Sequence, residues 1–241
     1  MKENLIDWEA YNRIRDKYSH VSSFAYWPKD HSGNCAAPLL AESEEEFKQK
    51  LEGKIHANVV IVGMNFGVND EISQLMSYDS NTIEDLIVSW KKINNMSNQY
   101  GGHYGKKGLN KAFKGTLVQG AYMTDLIKFN TVEKNWEATG VPSKEQDGID
   151  SIIESTPNFL EFNIQGLKSE LYDVVGINKD PIFIFLGDKY FNDPKVKRLV
   201  NHYFPNSDLY EFSHYARYGY TTNEFIAEGK ILVEEIVNTT N

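Results

Sequence analysis

Three polar side chains stand directly after apolar runs of the sequence, where they could hydrogen-bond to a small ligand. Asn65 follows the run VVIVGM, Asp125 follows AYMT, and His214 follows LYEFS. If these runs are neighbouring parallel strands, their carboxyl ends meet at one edge of a sheet, and the three side chains form a pocket there. Each residue alone is equally typical of a turn, in which its side chain satisfies local backbone groups.

The common catalytic and cofactor motifs do not occur in this chain. The stretch GMNFGV lacks the G-x-G-x-x-G spacing of dinucleotide turns, and the sequence has neither a P-loop nor a G-x-S-x-G elbow. Ser213 and His214 are adjacent, and because adjacent strand residues face opposite ways, they do not form a catalytic pair. His31 and Cys35 have no companion ligands at metal-binding spacing, so we expect neither a metal nor a cofactor.

Apolar runs of strand length alternate with stretches of helical spacing along most of the chain. This alternation predicts one α/β domain over residues 1–241, in which a mostly parallel, four-stranded sheet lies between two layers of helices. A helical and aromatic arm over about residues 1–54 precedes the main strands. The strands are expected within 58–63, 117–125, 181–187 and the start of 208–219, and the helices over 7–18, 42–54, 81–96, 157–175 and 222–237.

The composition favours a cytoplasmic protein with no membrane partner. The chain has 241 residues and one cysteine, so it forms no internal disulfide and no iron–sulfur cluster, and we expect a reducing compartment. Its N-terminus has no apolar leader, and no run reaches membrane-spanning length. The net charge of −9 argues against a broad, non-specific grip on a nucleic-acid backbone.

A local basic segment still allows contact with nucleic acid. The stretch GKKGLNKAFKG, residues 105–115, concentrates lysines that could bind the phosphates of a single strand. A solvated loop and helix face explains the same lysines equally well. The segment's cations, with two more expected at the mouth of the pocket, are Lys106, Lys107, Lys111, Lys114, Lys128 and Arg217.

Four segments, in order over roughly residues 55–235, resemble the uracil-DNA glycosylase superfamily. They are VGMNFG, AYMTDLIK, PIFIFLGDKYF and EFSHYARYG, and the first is especially similar to the single-strand-selective and mismatch-specific branches. The resemblance implies a uracil-DNA glycosylase-like α/β/α fold. The chain departs from the family pattern in three places. Phe66 occupies a position where those branches usually have proline. Asp125 occupies the position of the base-reading asparagine. Residues 215–217 (YAR) follow His214 where the family often has Pro-Ser and an intercalating loop.

The resemblance implies an enzyme of DNA repair that hydrolyses the N-glycosidic bond of a base. The partner would be DNA, including single-stranded DNA, or a free nucleobase or nucleotide, and the base would be flipped out of its strand. By this resemblance Asn65 positions the attacking water and His214 donates a hydrogen bond to the leaving base. The residues implied to hold the base are Gly63, Met64, Phe66 and Asp125.

Asp125 leaves the identity of the base open. An asparagine amide both donates and accepts, which suits the mixed edge of uracil, whereas an ionised aspartate only accepts. A carboxylate would suit an edge with two donors, as guanine has. A carboxyl kept protonated by burial would again suit a mixed edge. In a further alternative Asp125 binds backbone N–H groups and contacts no base.

Two other interpretations of the whole chain stay open. In the first, the fold is the same but hydrolysis has been lost, and the protein binds nucleic acid, a nucleobase or a nucleotide. The changes at Asp125 and after His214 favour this alternative, in which Lys106, Lys107 and Arg217 would contribute to binding. In the second, the chain is an unrelated α/β protein, and Asn65, Asp125 and His214 do not come together.

Overall fold

The computed structural model describes residues 3–28, 39–65, 96, 108–129, 146–214 and 219–240. Within these residues five strands form one sheet: β1 (Ser23–Phe24), β2 (His56–Asn65), β3 (Ala121–Ile127), β4 (Ile182–Leu186) and β5 (Leu209–Phe212). The helices are α1 (Trp8–Tyr18), α2 (Glu44–Lys50), α3 (Leu109–Phe113), α4 (Gln146–Ser155), α5 (Phe159–Ser169), α6 (Asp188–Phe191), α7 (Pro194–Tyr203) and α8 (Thr222–Thr240). A π-helical segment, Glu170–Val175, continues α5 without a break.

The sheet is mixed, and four of its strands are parallel. The strand order is β1-β3-β2-β4-β5. The strands β3, β2, β4 and β5 run parallel to one another, whereas β1 runs antiparallel to β3. The prediction of an α/β protein with a mostly parallel sheet is therefore confirmed. The predicted number of four strands is wrong, because β1 adds a fifth strand at the β3 edge.

The additional strand β1 is very short. It pairs Ser23 with Met123 and Phe24 with Tyr122. A strand of two residues carries no alternation of apolar and polar side chains, so sequence periodicity does not reveal it. Through β1 the aromatic part of the N-terminal arm forms part of the sheet.

Both faces of the sheet are covered by apolar packing. Adjacent residues of a strand point to opposite faces. Accordingly, Val60 and Val62 of β2 belong to one core, and Val59 and Ile61 belong to the other. Both cores draw buried side chains from helices as well as from strands, and this explains why β2 is apolar on both sides. The helical members of the first core include Tyr11, Ile14, Leu160, Leu167 and Val196, and those of the second include Phe113, Phe225 and Leu232.

Several elements differ from their predicted bounds for local reasons. The predicted strand 117–125 begins only at Ala121, because Gly120 has a positive φ of 91° and ends a preceding turn. The predicted helix 157–175 is present, but its last six residues are π-helical. The predicted helix 81–96 lies outside the described residues except for Met96. In the described part of the chain, no helix has the length and apolarity needed to cross a membrane.

Gly120 tests how strongly the backbone constrains the start of β3. An alanine there would need a positive φ, and its Cβ would lie 2.0 Å from the Lys54 carbonyl oxygen. We expect Gly120→Ala to lower the free energy of unfolding by about 3 kcal/mol, since a left-handed conformation and an overpacked contact add together. Urea titration measures the change.

Gly53 provides the matched control for this prediction. It has a positive φ of 70°, but a Cβ there would have no atom within 4 Å. Gly53→Ala should therefore lower the free energy of unfolding only by the cost of the left-handed conformation, about 1 kcal/mol. Equal losses for Gly53→Ala and Gly120→Ala would contradict the assigned contact with Lys54.

Candidate functional site

The carboxyl ends of the four parallel strands lie at one edge of the sheet. Asn65 is the last residue of β2, Asp125 lies near the end of β3, and His214 follows β5 by two residues. Gly63 pairs with Asp125 across β2 and β3, and the Gly187 N–H donates to the Phe212 carbonyl at 2.8 Å across β4 and β5. The structure thus brings the backbones of the three strand-end residues to a common edge.

Asp125 and His214 lie toward opposite ends of this edge. Two strands, β2 and β4, separate β3 from β5. Neighbouring strands are about 4.8 Å apart, so the backbones of β3 and β5 are separated by about 14 Å. Asn65, at the end of β2, lies between them along the edge.

Gly63 makes room for the Asp125 carboxyl. A Cβ built on Gly63 would lie 2.2 Å from Asp125 Oδ1, which is far below any real contact distance. The glycine after the apolar run of β2 therefore lets the side chain of the neighbouring strand approach the β2 backbone. This explains the first glycine of VGMNFG by a contact within the protein, whereas the second, Gly67, lies outside the described residues.

The Asp125 carboxyl is buried without a hydrogen-bonding partner in the described part of the chain. The residue is 7% exposed. Burial raises the pKa of Asp125 to about 7, Glu170 adds to that rise, and the Lys128 ammonium opposes it. The protonated form is therefore substantially populated at neutral pH, as one of the sequence-based alternatives expects. No backbone N–H among the described residues binds this carboxyl.

A buried polar network lies within the core beside Asp125. Glu170 Oε1 accepts hydrogen bonds from the Tyr122 hydroxyl and the Thr124 hydroxyl, each at 2.8 Å. The Lys128 ammonium forms an ion pair with Glu170 and donates to Thr124 Oγ1. The Lys128 and Glu170 side chains have no exposed surface. The network joins β3 to the point where α5 becomes π-helical.

Lys128 therefore does not extend a basic patch along the pocket mouth, and that expectation is wrong. Its side chain is directed into the core, where the Glu170 carboxylate compensates its charge. Sequence analysis did not single out Glu170. A signal was nevertheless present, because Glu170 is a lone acid among the apolar positions of the 157–175 helix and Lys128 closely follows a buried strand.

Asn163 fixes the chain where it leaves β3. Its Oδ1 accepts hydrogen bonds from the backbone N–H groups of Lys128 and Phe129, both at 2.9 Å. Its Nδ2 donates to the Phe129 and Phe159 carbonyls, both at 3.1 Å. One buried amide thus satisfies the backbone of two elements and holds the end of β3 against α5.

His214 is half-buried at the other end of the edge. Burial lowers the pKa of His214 below its usual value, so the imidazole is neutral at pH 7. A neutral imidazole has one N–H donor and one acceptor nitrogen. Gly187, at the end of β4, is close to it, since a Cβ there would lie 3.8 Å from His214 Cβ. Gly187 has a positive φ of 92°, so its conformation rather than lack of space favours glycine.

The other residues named from the sequence divide into two groups. Met64 is half-buried and packs against the first core, and Lys111 is exposed on α3. The remaining ones, Phe66, Lys106, Lys107 and Arg217, lie outside the described residues. The basic segment of residues 105–115 is therefore represented in the described chain by Lys111 and Lys114 alone.

The geometry of this edge is the available guide to function. Comparisons with protein-family models, with curated proteins and with solved structures find no match to this chain. Within the described residues, no group of three or more His, Cys, Asp or Glu side chains could hold a metal ion. The described part of the site can offer hydrogen bonds from a carboxyl that can carry a proton and from a neutral imidazole.

The Lys128–Glu170 pair predicts a large loss of stability when one partner is removed. Lys128→Met leaves the Glu170 charge buried without compensation, and we expect the free energy of unfolding to fall by about 3–5 kcal/mol. The double variant Lys128→Met/Glu170→Gln should recover part of this loss, because glutamine still accepts from Tyr122 or Thr124. Urea titration of the single and double variants measures both effects.

The exposed pair of Lys48 and Glu44 on α2 is the control for this prediction. Lys48→Met removes an ion pair that water already screens, so its effect should be much smaller. Equal losses of stability in Lys128→Met and Lys48→Met, or no recovery of stability in the double variant, would show that the uncompensated Glu170 charge is not the cause of the loss.

Asp125 predicts a pH-dependent difference in stability. An unfolded aspartate ionises near its ordinary pKa of about 4, whereas folded Asp125 holds its proton up to a pKa of about 7. The unfolded chain thus binds fewer protons between these values, and this group lowers stability as pH rises from about 4 to about 7. The free energy of unfolding of Asp125→Asn, relative to that of the wild type, should therefore increase by about 1.4 kcal/mol per pH unit over that window.

Urea titrations at pH 5, 6, 7 and 8 measure this difference between Asp125→Asn and the wild type. Asp16, whose side chain is 73% exposed, supplies a matched control, and Asp16→Asn should show little change over the same range. A difference for Asp125→Asn that stays constant from pH 5 to pH 8 would rule out the raised pKa.

Proposed function

We propose that the chain is a divergent uracil-DNA glycosylase-like protein that hydrolyses the N-glycosidic bond of a base in DNA or in a nucleotide. Asp125 carries the proposal, because its buried carboxyl has no hydrogen-bonding partner among the described residues yet lies at the ligand-binding edge of a parallel sheet. A base whose edge bonds to this carboxyl would supply the missing partner.

The span of the site suits a flat ligand of the size of a nucleobase. The backbones of β3 and β5 are about 14 Å apart, and the side chains of Asp125 and His214 each extend a few ångströms from them. In the proposed complex a single base contacts Asp125 on one side and His214 on the other. Asn65, between them at the end of β2, would be near the sugar.

The reaction would proceed by addition of water to the sugar. The bond between the anomeric carbon and the base nitrogen breaks, and its electron pair leaves with the base. His214, neutral at pH 7, would donate a hydrogen bond to the departing base, and Asn65 would hold the water. The proton released by the water balances the charge on the base, so that the products are the free base and an abasic sugar.

Protonated Asp125 would let the site recognise a mixed edge. A neutral carboxyl offers one O–H donor and one carbonyl acceptor, which is the pattern that an asparagine amide presents. A base with a carbonyl next to an N–H, such as uracil, matches that pattern. Asp125 would thus take the place of the asparagine in the family that the chain resembles.

The architecture supports the same proposal. Helices on both faces of a mostly parallel sheet are what an α/β/α glycosylase fold requires, and the strands within the four segments with the family resemblance have their carboxyl ends at the same edge of the sheet. The short β1 would be an addition to the four-stranded sheet of that fold.

A binding protein of the same fold is the second candidate. Residues 215–217 (YAR) stand in place of Pro-Ser after His214, and Asp125 stands in place of asparagine. Both changes fall at positions that the reaction would use. Such a protein would bind DNA, a nucleobase or a nucleotide and release no base.

Base release from oligonucleotides tests the proposed function. We expect the full chain to release uracil from single-stranded or duplex DNA, and His214→Ala to lower the rate by about 10²- to 10³-fold through loss of one donor to the leaving base. His202→Ala is the matched control, since His202 is exposed on α7, and it should leave the rate unchanged. Release that persists in His214→Ala would refute the role of His214.

Binding measured on the same oligonucleotides separates the two candidate functions. Salt-sensitive binding without base release would refute the glycosylase function and support the binding function. Neither binding nor release, with nucleotides and free bases also tested, would refute both.

A further inference from the structure

Glu228 of α8 connects the two flanks of the segment that contains His214. Its Oε1 accepts a hydrogen bond from the Ser213 backbone N–H at 2.7 Å. Its Oε2 accepts a hydrogen bond from the Tyr220 hydroxyl at 2.6 Å. Ser213 directly precedes His214, and Tyr220 lies just before the start of α8. One carboxylate thus uses both oxygens to hold residues 213 and 220.

The position of Glu228 in the helix is unusual for a charged residue. It shares a face of α8 with Phe225, Gly229 and Leu232, all of which are buried. A Cβ on Gly229 would lie 2.8 Å from Ala112 Cβ, so α8 packs closely on α3 at this point. The close packing restricts rotation of the helix and directs Glu228 toward the end of β5.

The start of α8 has its own cap and does not depend on Glu228. The Glu224 N–H donates to Thr221 Oγ1 at 3.2 Å, and the Thr221 N–H donates to the Glu224 carboxylate at 2.7 Å. This reciprocal pair is a capping box. The two hydrogen bonds of Glu228 are therefore additional to those that begin the helix, and they act on the segment before it.

We propose that Glu228 is a positioning residue that fixes the backbone next to His214, at the end of β5, against α8 through its hydrogen bonds to Ser213 and Tyr220. The consequence for catalysis rests on the proposed function, in which the imidazole must meet the leaving base. Loss of the two hydrogen bonds would remove two of the contacts that position the backbone next to His214, while Asp125 lies on β3, two strands away.

A glutamine at position 228 can replace both hydrogen bonds. Its Oε1 would accept from the Ser213 N–H, and its Nε2 would donate to the Tyr220 hydroxyl, which is able to accept as well as donate. Alanine can replace neither. Comparison of Glu228→Gln with Glu228→Ala therefore distinguishes hydrogen bonding from the charge of the glutamate.

The test measures base release and the imidazole NMR signals of the full chain labelled with ¹⁵N-histidine. We expect Glu228→Ala to lower kcat by about 10- to 100-fold with KM nearly unchanged, because a small misplacement of a catalytic group has an effect of this size. Glu228→Gln should retain most of kcat, and Tyr220→Phe should give an intermediate loss. Glu234→Ala, on an exposed position of α8, is the control without effect.

The NMR signals test the inference independently of activity. The His214 signals, assigned with His214→Ala, should change in Glu228→Ala and keep their positions in Glu228→Gln and Glu234→Ala. Unchanged His214 signals in Glu228→Ala, or equal effects of alanine and glutamine, would overturn the positioning role. If the wild type neither releases nor binds a base, the proposed function fails, and the signals alone decide the role of Glu228.

Discussion

The buried ion pair of Lys128 and Glu170, together with the Asn163 amide, holds the end of β3 against α5 and its π-helical continuation. Two charges without contact to water are tolerated only when they compensate each other and are hydrogen-bonded. Here Glu170 Oε1 accepts from the Tyr122 and Thr124 hydroxyls, Thr124 Oγ1 accepts from Lys128, and Glu170 Oε2 faces the Lys128 ammonium. Glu170 lies at the first residue of the π-helical segment, so the change of helix geometry occurs where the acid meets the strand. Wider turns of this kind recur at functional sites. The pair thus links an irregular helix to the strand that carries the candidate ligand-binding carboxyl.

The same pair shapes the electrostatics of Asp125. Lys128 is the cation that lowers the pKa of Asp125, but its ammonium contacts Glu170, which acts in the opposite direction. Because the pair carries no net charge, burial dominates and raises the pKa of Asp125 to about 7, so the protonated form is substantially populated at neutral pH. A glycine at position 63 completes the arrangement, since any larger residue would displace the carboxyl from the β2 backbone. The candidate site therefore depends on a charge balance inside the core.

Sequence periodicity is sufficient for the parallel strands and for α1, α2, α5 and α8, because each is a local pattern of apolar residues. It does not reveal β1, whose two residues acquire strand geometry only by pairing with β3. Nor does it reveal the contact between Lys128 and Glu170, which are 42 positions apart in the chain and meet only after α5 packs on the sheet. Asp125 and His214 could be named from the sequence because each directly follows an apolar run of strand length, whereas the hydrogen bonds of Glu228 depend on how α8 is rotated about its axis.

The antiparallel strand β1 also has a consequence for the solubility of the folded chain. β1 pairs with Tyr122 and Met123, whose backbone groups on that side of β3 would otherwise be open to pairing with a strand from another molecule. Strand β1 has only two residues, Ser23 and Phe24, so it offers a strand from another molecule few backbone groups to pair with. The N-terminal arm can therefore be regarded as protection against intermolecular strand addition, and this protection lies next to the strand that carries Asp125.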